Sequence, residues 1–214
     1  MPAQPFVVVL DHGPDDHAPL VEALTRAGAA VEVTSDKRTA LVADGLVVAG
    51  SGPFVDVMAG LRAVGADQVV DRRLAGGRAV LAIDVGMHAM FAEGPGAEGL
   101  GEWPGVVDSA PAAGPGPLAV PDGSRLFVGL AGAEFHFAHT HAARAFPLLD
   151  DWPADTRLVV PVVVFTAGPD PVVAAVENGP LTALLLRPEH SGDAGAQVLA
   201  RWVESLPTTH GDHA

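Results

Sequence analysis

The chain has 214 residues, of which 49% are apolar and 18% are charged, and its formal net charge is −14. This composition excludes a disordered chain. The acidic balance disfavours binding to nucleic-acid phosphates, and no apolar run is long enough to cross a membrane. Because the chain has no cysteine, it can form no disulfide, no thiolate metal site and no cysteine nucleophile. We therefore expect a cytoplasmic globular protein that binds neither nucleic acid nor membrane.

Short apolar runs alternate with amphipathic segments along the chain, and this alternation predicts strands alternating with helices. The predicted strands cover residues 6–10, 30–33, 46–48, 79–83, 105–108, 134–141, 158–165, 172–177 and 181–186. The predicted helices cover residues 17–27, 54–61, 66–74, 87–91 and 194–206. This order indicates an α/β fold, a doubly wound and mostly parallel sheet in which strands 158–165 and 172–177 form a hairpin. We expect one domain over residues 1–207 and a disordered tail over 208–214.

The stretch from Val80 to His88 reads as a buried strand, a tight turn and the start of a helix, with Asp84 at the turn and Gly86 two positions later. A strand-to-helix turn of this kind presents one side chain above the carboxyl edge of a sheet, and a small residue beside it lets the helix pack closely on the strand. Nucleophilic hydrolases place serine or cysteine at that position. Here the position carries a carboxylate.

Framework segments along nearly the whole chain resemble one family, the glutaminase subunit of imidazole glycerol phosphate synthase, a class I glutamine amidotransferase. These segments include VEVTSD at 31–36, ADGLVV at 43–48, GEWPG at 101–105, VAAVENGP at 173–180 and SGDAG at 191–195. The resemblance implies a class I amidotransferase (flavodoxin-like) fold without a cofactor. It also implies a role in histidine biosynthesis, in which glutamine is hydrolysed to glutamate and the ammonia passes to a TIM-barrel cyclase subunit.

The residues that carry chemistry in that family differ in this chain. The family elbow reads Gly-Ile-Cys-Val/Leu-Gly-Met-Gln, so the resemblance puts Asp84 at the nucleophile position and His88 at a substrate-holding glutamine. The second catalytic motif reads Gln-Phe-His-Pro-Glu-Lys-Ser, which puts Arg187 at the general-base position and Glu189 at the third triad position.

Other parts of the family site are retained to different degrees. The oxyanion loop aligns with Gly50, Ser51 and Gly52 and keeps both glycines, and the motif His-Ser-Tyr aligns with residues that include His139 and Thr140. Of the partner-facing motif His-Met-Gly-Trp-Asn, only a glycine is kept, in the segment 112–116.

These differences fall on the obligatory steps of amide hydrolysis. A carboxylate is a poor nucleophile toward an amide, and an arginine with a pKa above about 12 cannot shuttle a proton at neutral pH. We therefore expect a glutaminase-inactive homologue. We also expect an ion pair between Asp84 and Arg187 across the cleft, with Glu189 as a second acceptor.

Three other interpretations remain open at the level of sequence. Asp84 could be a nucleophile, as in dehalogenase-type elbows, which would require a good leaving group and a separate base such as His88 or His139. The chain could be a repurposed protein that binds a small acid or amide, or a regulatory protein, on the same fold. His136, His139 and His141 suggest a metal site, but His136 and His139 point to opposite faces of a strand, so we expect no metal.

Overall fold

The computed structural model describes residues 4–111, 114–146 and 160–207. Its principal strands are β1 (Phe6–Leu10), β2 (Ala30–Thr34), β3 (Gly45–Gly50), β4 (Ala79–Asp84), β5 (Phe91–Gly94), β6 (Ala97–Glu98), β7 (Trp103–Val106), β8 (Asp108–Ser109), β9 (Leu118–Ala119), β10 (His141–Ala142), β11 (Val162–Thr166), β12 (Val173–Asn178) and β13 (Leu181–Leu184). Its helices are α1 (Ala18–Arg26), α2 (Lys37–Val42), α3 (Phe54–Ala63), α4 (Ala66–Ala75), α5 (Val85–Ala89) and α6 (Gly192–Glu204). The predicted tail over 208–214 lies outside the described residues, and none of the described helices could span a bilayer.

An eight-stranded sheet organises the fold, with strand order β2-β1-β3-β4-β13-β12-β11-β9. The five strands from β2 to β13 run parallel, and β12, β11 and β9 follow in antiparallel pairs. Strands β3 and β4 are buried almost throughout because helices cover both faces, which is why they read as continuous apolar runs. The mostly parallel α/β sheet predicted from the sequence is confirmed, and so is the β11–β12 hairpin.

The predicted strand over 134–141 is wrong. In this segment Phe135 forms a single bridge with Gly116, and only His141 belongs to a strand, the short β10. Phe135 and Phe137 are both buried. The alternating pattern therefore arises because a loop places these two side chains in the core. A sheet ladder is not needed to produce such a pattern.

Two other differences concern short elements. Helix α2 has only six residues and was not predicted, although Asp36 caps it by accepting a hydrogen bond from the Thr39 N–H. The predicted strand over 105–108 is replaced by β7 and β8, which belong to two small separate sheets.

The buried Arg73 side chain links the C-terminal end of α2 to the sheet through hydrogen bonds. The Arg73 side chain has no exposed surface, and its guanidinium donates to the carbonyls of Ala40, Ala43 and Ala79 at 2.8, 2.9 and 2.8 Å. Burial lowers the pKa of Arg73 to about 10, with Arg78 adding to the effect, so the side chain still carries its charge at neutral pH. The bonds to Ala40 and Ala43 satisfy carbonyls that the C-terminus of α2 leaves without partners, and the bond to Ala79 reaches the start of β4.

The carboxyl edge of the central parallel strands is where the predicted site residues meet. Strands β3 and β4 pair in register up to Gly50 opposite Asp84. Strand β13 lies on the other side of β4, with Leu184 opposite Ile83, so the residues after Leu184 continue beside Asp84. Adjacent parallel strands thus bring Gly50, Asp84 and Arg187 to one crevice, the usual ligand position in open α/β sheets.

Candidate active site

Asp84 stands on a sharp turn between β4 and α5. Its backbone has φ 55° and ψ −119°, and it is the one non-glycine residue with positive φ in the part of the chain that the structure describes. Such a conformation costs of order 1–3 kcal/mol and is maintained only when the surrounding structure enforces it. At Gly86, a Cβ atom would lie 2.0 Å from the Val48 carbonyl oxygen, so only glycine lets α5 pack against β3.

Arg187 reaches across the crevice to Asp84. Its Nε and Nη2 both donate to Asp84 Oδ2 at 2.7 Å, and the predicted ion pair is therefore confirmed. Asp84 is 5% exposed, whereas the Arg187 side chain is 25% exposed. Burial raises the pKa of the Asp84 carboxyl, and the Arg187 charge opposes that rise. The pair is thus partly buried, with its carboxylate the more desolvated member.

Glu189 does not act as the expected second acceptor. Its Oε2 atom is buried without a hydrogen-bond partner in the part of the chain that the structure describes, and its Oε1 atom lies 3.8 Å from His190 Nε2. Among the described residues, Arg187 makes its ion pair with Asp84 alone. Burial raises the pKa of Glu189. The 3₁₀ turn over Pro188–His190 brings Glu189 to the crevice, but its carboxylate is not directed at the guanidinium.

The loop after β3 forms one wall of the crevice. Gly50 and Ser51 line a small cavity of about 70 Å³ together with Asp84, Arg187 and Glu189. Gly52 has φ 88° and lines a larger cavity on the other side of the Asp84–Arg187 pair. The structure therefore places the three loop residues next to the ion pair.

The larger cavity has a volume of about 490 Å³ and contains the remaining predicted site residues, His88, His139 and Thr140. Both His88 and His139 are 4% exposed, and His88 Nε2 and His139 Nδ1 have no hydrogen-bond partner among the described residues. Thr140 Oγ1 lies 3.0 Å from His141 Nδ1. Within the described residues, no group of three or more potential ligands is arranged to hold a metal ion.

The supporting contacts of Ser191, His136 and Asp15 were not predicted from the sequence. The Ser191 hydroxyl donates to the Arg187 carbonyl at 2.7 Å and accepts from the His136 N–H at 3.0 Å, so it fixes the backbone that carries the guanidinium. The Arg187 N–H in turn donates to the His136 carbonyl at 2.9 Å. The Ser51 hydroxyl donates to Asp15. Ser191 is part of the SGDAG segment, which is the only sequence signal that could have singled it out.

His88 supplies a test of the cavity's electrostatics. Burial, with contributions from His139 and His141, lowers the pKa of His88 to about 3, well below the 6.5 of an unfolded chain. Between those values the unfolded state binds the proton and the folded state does not, so stability falls as the pH falls. We expect this effect to remove about 2 kcal/mol of unfolding free energy between about pH 7.5 and about pH 5.

Urea unfolding of the native chain and of a His88→Gln variant at both pH values measures this effect. The variant should lose about 2 kcal/mol less on acidification than the native chain. Asp84 and Glu189, whose pKa values are raised, are common to both proteins and cancel in the comparison. Equal losses in the two proteins would show that His88 is protonated in the folded state.

Comparison with known proteins gives relatives over nearly the full length of the chain. It is 43% identical to the imidazole glycerol phosphate synthase subunit HisH of Thermobifida fusca, over 95% of this chain and 100% of that protein. It is 44% identical to the HisH subunit of Streptomyces coelicolor, over 94% of this chain and 93% of that protein. A glutamine amidotransferase of known structure superposes with a TM-score of 0.67 and 21% identity, over 91% of this chain and 98% of that chain. No profile of a known protein family matches the chain.

Proposed function

Since this chain belongs to the HisH family of imidazole glycerol phosphate synthase subunits, we propose that it is a subunit of that synthase that docks on the cyclase but does not hydrolyse glutamine. The proposal assigns Asp84 to the position of the family's cysteine nucleophile and Arg187 to that of its histidine base. In this role the cyclase uses free ammonia. The chain acts as one domain over residues 1–207.

The observation that supports the proposed lack of glutaminase activity is the ion pair between Asp84 and Arg187. Glutamine hydrolysis on this fold needs a nucleophile that attacks the carboxamide carbon and a base that accepts its proton and returns it to ammonia. Here the first position holds a carboxylate with one oxygen bound twice by a guanidinium at 2.7 Å. Attack by that carboxylate would give a high-energy anhydride, and the guanidinium cannot exchange protons at neutral pH.

The same pair disfavours Asp84 as a nucleophile toward other electrophiles. Two hydrogen bonds from a cation stabilise the carboxylate in its ground state, which lowers its reactivity. A hydrolytic cycle through an ester would also need a base to activate water. The histidines His88 and His139 line the cavity, but burial lowers the pKa of both imidazoles, which makes each a weaker base for that purpose.

Retained docking is supported by the fold and by the length of the match. The relatives are covered over 93% or more of their length, and the glycines that shape the crevice are in place. A subunit can dock without chemistry because docking depends on surface and framework, whereas hydrolysis depends on a few side chains.

Titration of the full chain into the cyclase subunit from the same organism, followed by calorimetry, tests the proposed role. We expect saturable one-to-one binding with a dissociation constant in the micromolar range or tighter. An Asp84→Asn variant serves as the control, because a change inside the crevice should not alter docking. Absence of binding at tens of micromolar would mean that the chain has left the synthase.

A further inference from the structure

A second cavity lies at the opposite edge of the sheet from the crevice, where strands β4 and β13 begin. It has a volume of about 560 Å³, and small-molecule sites in proteins occupy roughly 300–1,000 Å³. Its walls come from the start of β4 and of β13, the C-terminal half of α6 and the loop that contains Gly123 and Arg125. None of the crevice residues lines it.

Three side chains from neighbouring strands form one wall of this cavity. Val162 of β11 pairs with Glu177 of β12, and Glu177 pairs with Thr182 of β13. Residues directly opposite each other on antiparallel strands project from the same face of a sheet, so these side chains lie in one row. Arg201 and Trp202 of α6 also line the cavity. Glu177 and Thr182 are thus polar residues in strands that are otherwise mostly apolar and buried, and they face a cavity.

Thr182 brings an unused hydrogen-bonding group to the cavity. The residue is only 8% exposed, and its hydroxyl, which retains accessible surface, makes no hydrogen bond to any residue that the structure describes. Glu177, in contrast, accepts from the Ser124 hydroxyl at 2.6 Å and from the Arg125 N–H at 3.0 Å. A polar group of a buried residue that lacks a partner favours a ligand that supplies one. The free hydroxyl therefore favours a ligand that can accept a hydrogen bond.

The charged residues that line the cavity leave an excess of positive charge. They are Arg125, Glu177 and Arg201. Arg125 Nε lies 3.9 Å from Glu177 Oε2, whereas Arg201 makes no ion pair within the described residues. The Arg201 guanidinium donates to the Leu126 carbonyl at 2.6 Å and to Gln197 at 3.5 Å, which fixes it and leaves most of its N–H donors free. The lining therefore favours a ligand with a single negative charge, since Glu177 would repel a second one.

We propose that this cavity binds a small organic monocarboxylate with an apolar body. The carboxylate pairs with the Arg201 guanidinium, whose fork of donors matches two carboxylate oxygens, and Thr182 donates a further hydrogen bond to it. The apolar body lies against Val162 and Pro180, which line the same cavity. The site is independent of the inert-subunit role because it lies at the other edge of the sheet from Asp84, so its failure would leave that role standing.

NMR chemical-shift titration of the full chain with 2-naphthoate at pH 7 tests the proposal. We expect saturable binding with a dissociation constant of about 1 mM or tighter. The amides of Glu177, Thr182 and Arg201 should shift, and those of Asp84 and Gly86 in the elbow should not. The neutral analogue 2-naphthamide should bind at least about tenfold more weakly because it lacks the charge. The phosphate ester 2-naphthyl phosphate, mostly a dianion at pH 7, should also bind more weakly than 2-naphthoate.

Variants then identify the groups that bind the carboxylate. Thr182→Val keeps the shape of the side chain without its hydroxyl and should weaken 2-naphthoate binding about tenfold, and Arg201→Gln should weaken it at least about tenfold. Arg26→Gln, the same change at an exposed residue of α1 outside the cavity, should leave binding unchanged. The comparison of the three compounds needs no variant, so it decides the matter even where Arg201→Gln fails to fold.

Four results would overturn the proposal. The first is an absence of saturable 2-naphthoate binding, and the second is binding whose shifts map to the elbow. The third is binding of 2-naphthamide or 2-naphthyl phosphate as tight as that of 2-naphthoate. The fourth is undiminished binding by a folded Thr182→Val variant.

Discussion

The double variant Asp84→Cys/Arg187→His is expected to hydrolyse glutamine at least about a hundredfold faster than the native chain. Cysteine at position 84 would occupy the strained turn that already holds a side chain above the sheet edge. Histidine at position 187 would stand on a backbone fixed by Ser191 and His136. Nucleophile and base act as a unit, so neither single variant should gain activity.

Glutamate release, measured with saturating cyclase, is the readout. Glu189 lies in the 3₁₀ turn directly after position 187, and its Oε2 atom, which has no hydrogen-bond partner among the described residues, can accept from the new histidine. Addition of Glu189→Gln to the double variant should therefore reduce the gain. A folded double variant that docks on the cyclase yet releases no glutamate would show that other changes in the cleft, such as His88, also block the reaction. Activity in either single variant would contradict the assignment of the two positions.

Replacement of Arg187 by methionine is expected to lower the unfolding free energy by about 3 kcal/mol at pH 7. The change leaves Asp84 buried at 5% exposure without its counter-charge, while methionine retains much of the side-chain volume. Without the guanidinium, the pKa of Asp84 in the folded state rises further above its unfolded value. The loss of unfolding free energy is therefore largest above the folded-state pKa of Asp84 in the variant. It becomes smaller as the pH falls and the carboxyl takes up a proton.

The matched control is the Asp84→Asn/Arg187→Met double variant, measured by urea unfolding alongside both single variants. Asparagine tolerates positive φ better than most residues, and it removes the negative charge at position 84. The double variant should therefore regain most of the unfolding free energy that Arg187→Met loses. A double variant no more stable than Arg187→Met would mean that the methionine itself, and not the unpaired carboxylate, causes the loss.

The sequence was sufficient to predict those parts of the fold in which one physical effect dominates. Strands β3 and β4 are covered on both faces, so their apolar runs are unambiguous. The elbow could be recognised because Asp84 ends such a run and Gly86 follows it. The ion pair followed from opposite charges at two positions that the fold brings together.

Other features depend on interactions that no local pattern records. Phe135 and Phe137 gave a strand-like alternation, but the core contacts of a loop explain it equally well. The direction of the Glu189 carboxylate depends on the 3₁₀ turn over Pro188–His190 and could not be inferred from its position in the chain. That His88 Nε2 and His139 Nδ1 have no hydrogen-bond partner among the described residues became evident only from the packing around them.

The most direct test of the inert-subunit proposal is the synthase reaction with two nitrogen sources. The native chain is mixed with saturating amounts of the cyclase and of the cyclase's substrate. Product formation is then measured with glutamine and, separately, with ammonium. We predict turnover with ammonium and none above the cyclase-only control with glutamine. Glutamine-dependent turnover by the native pair would contradict the proposal and would require Asp84 and Arg187 to support chemistry that their ion pair disfavours.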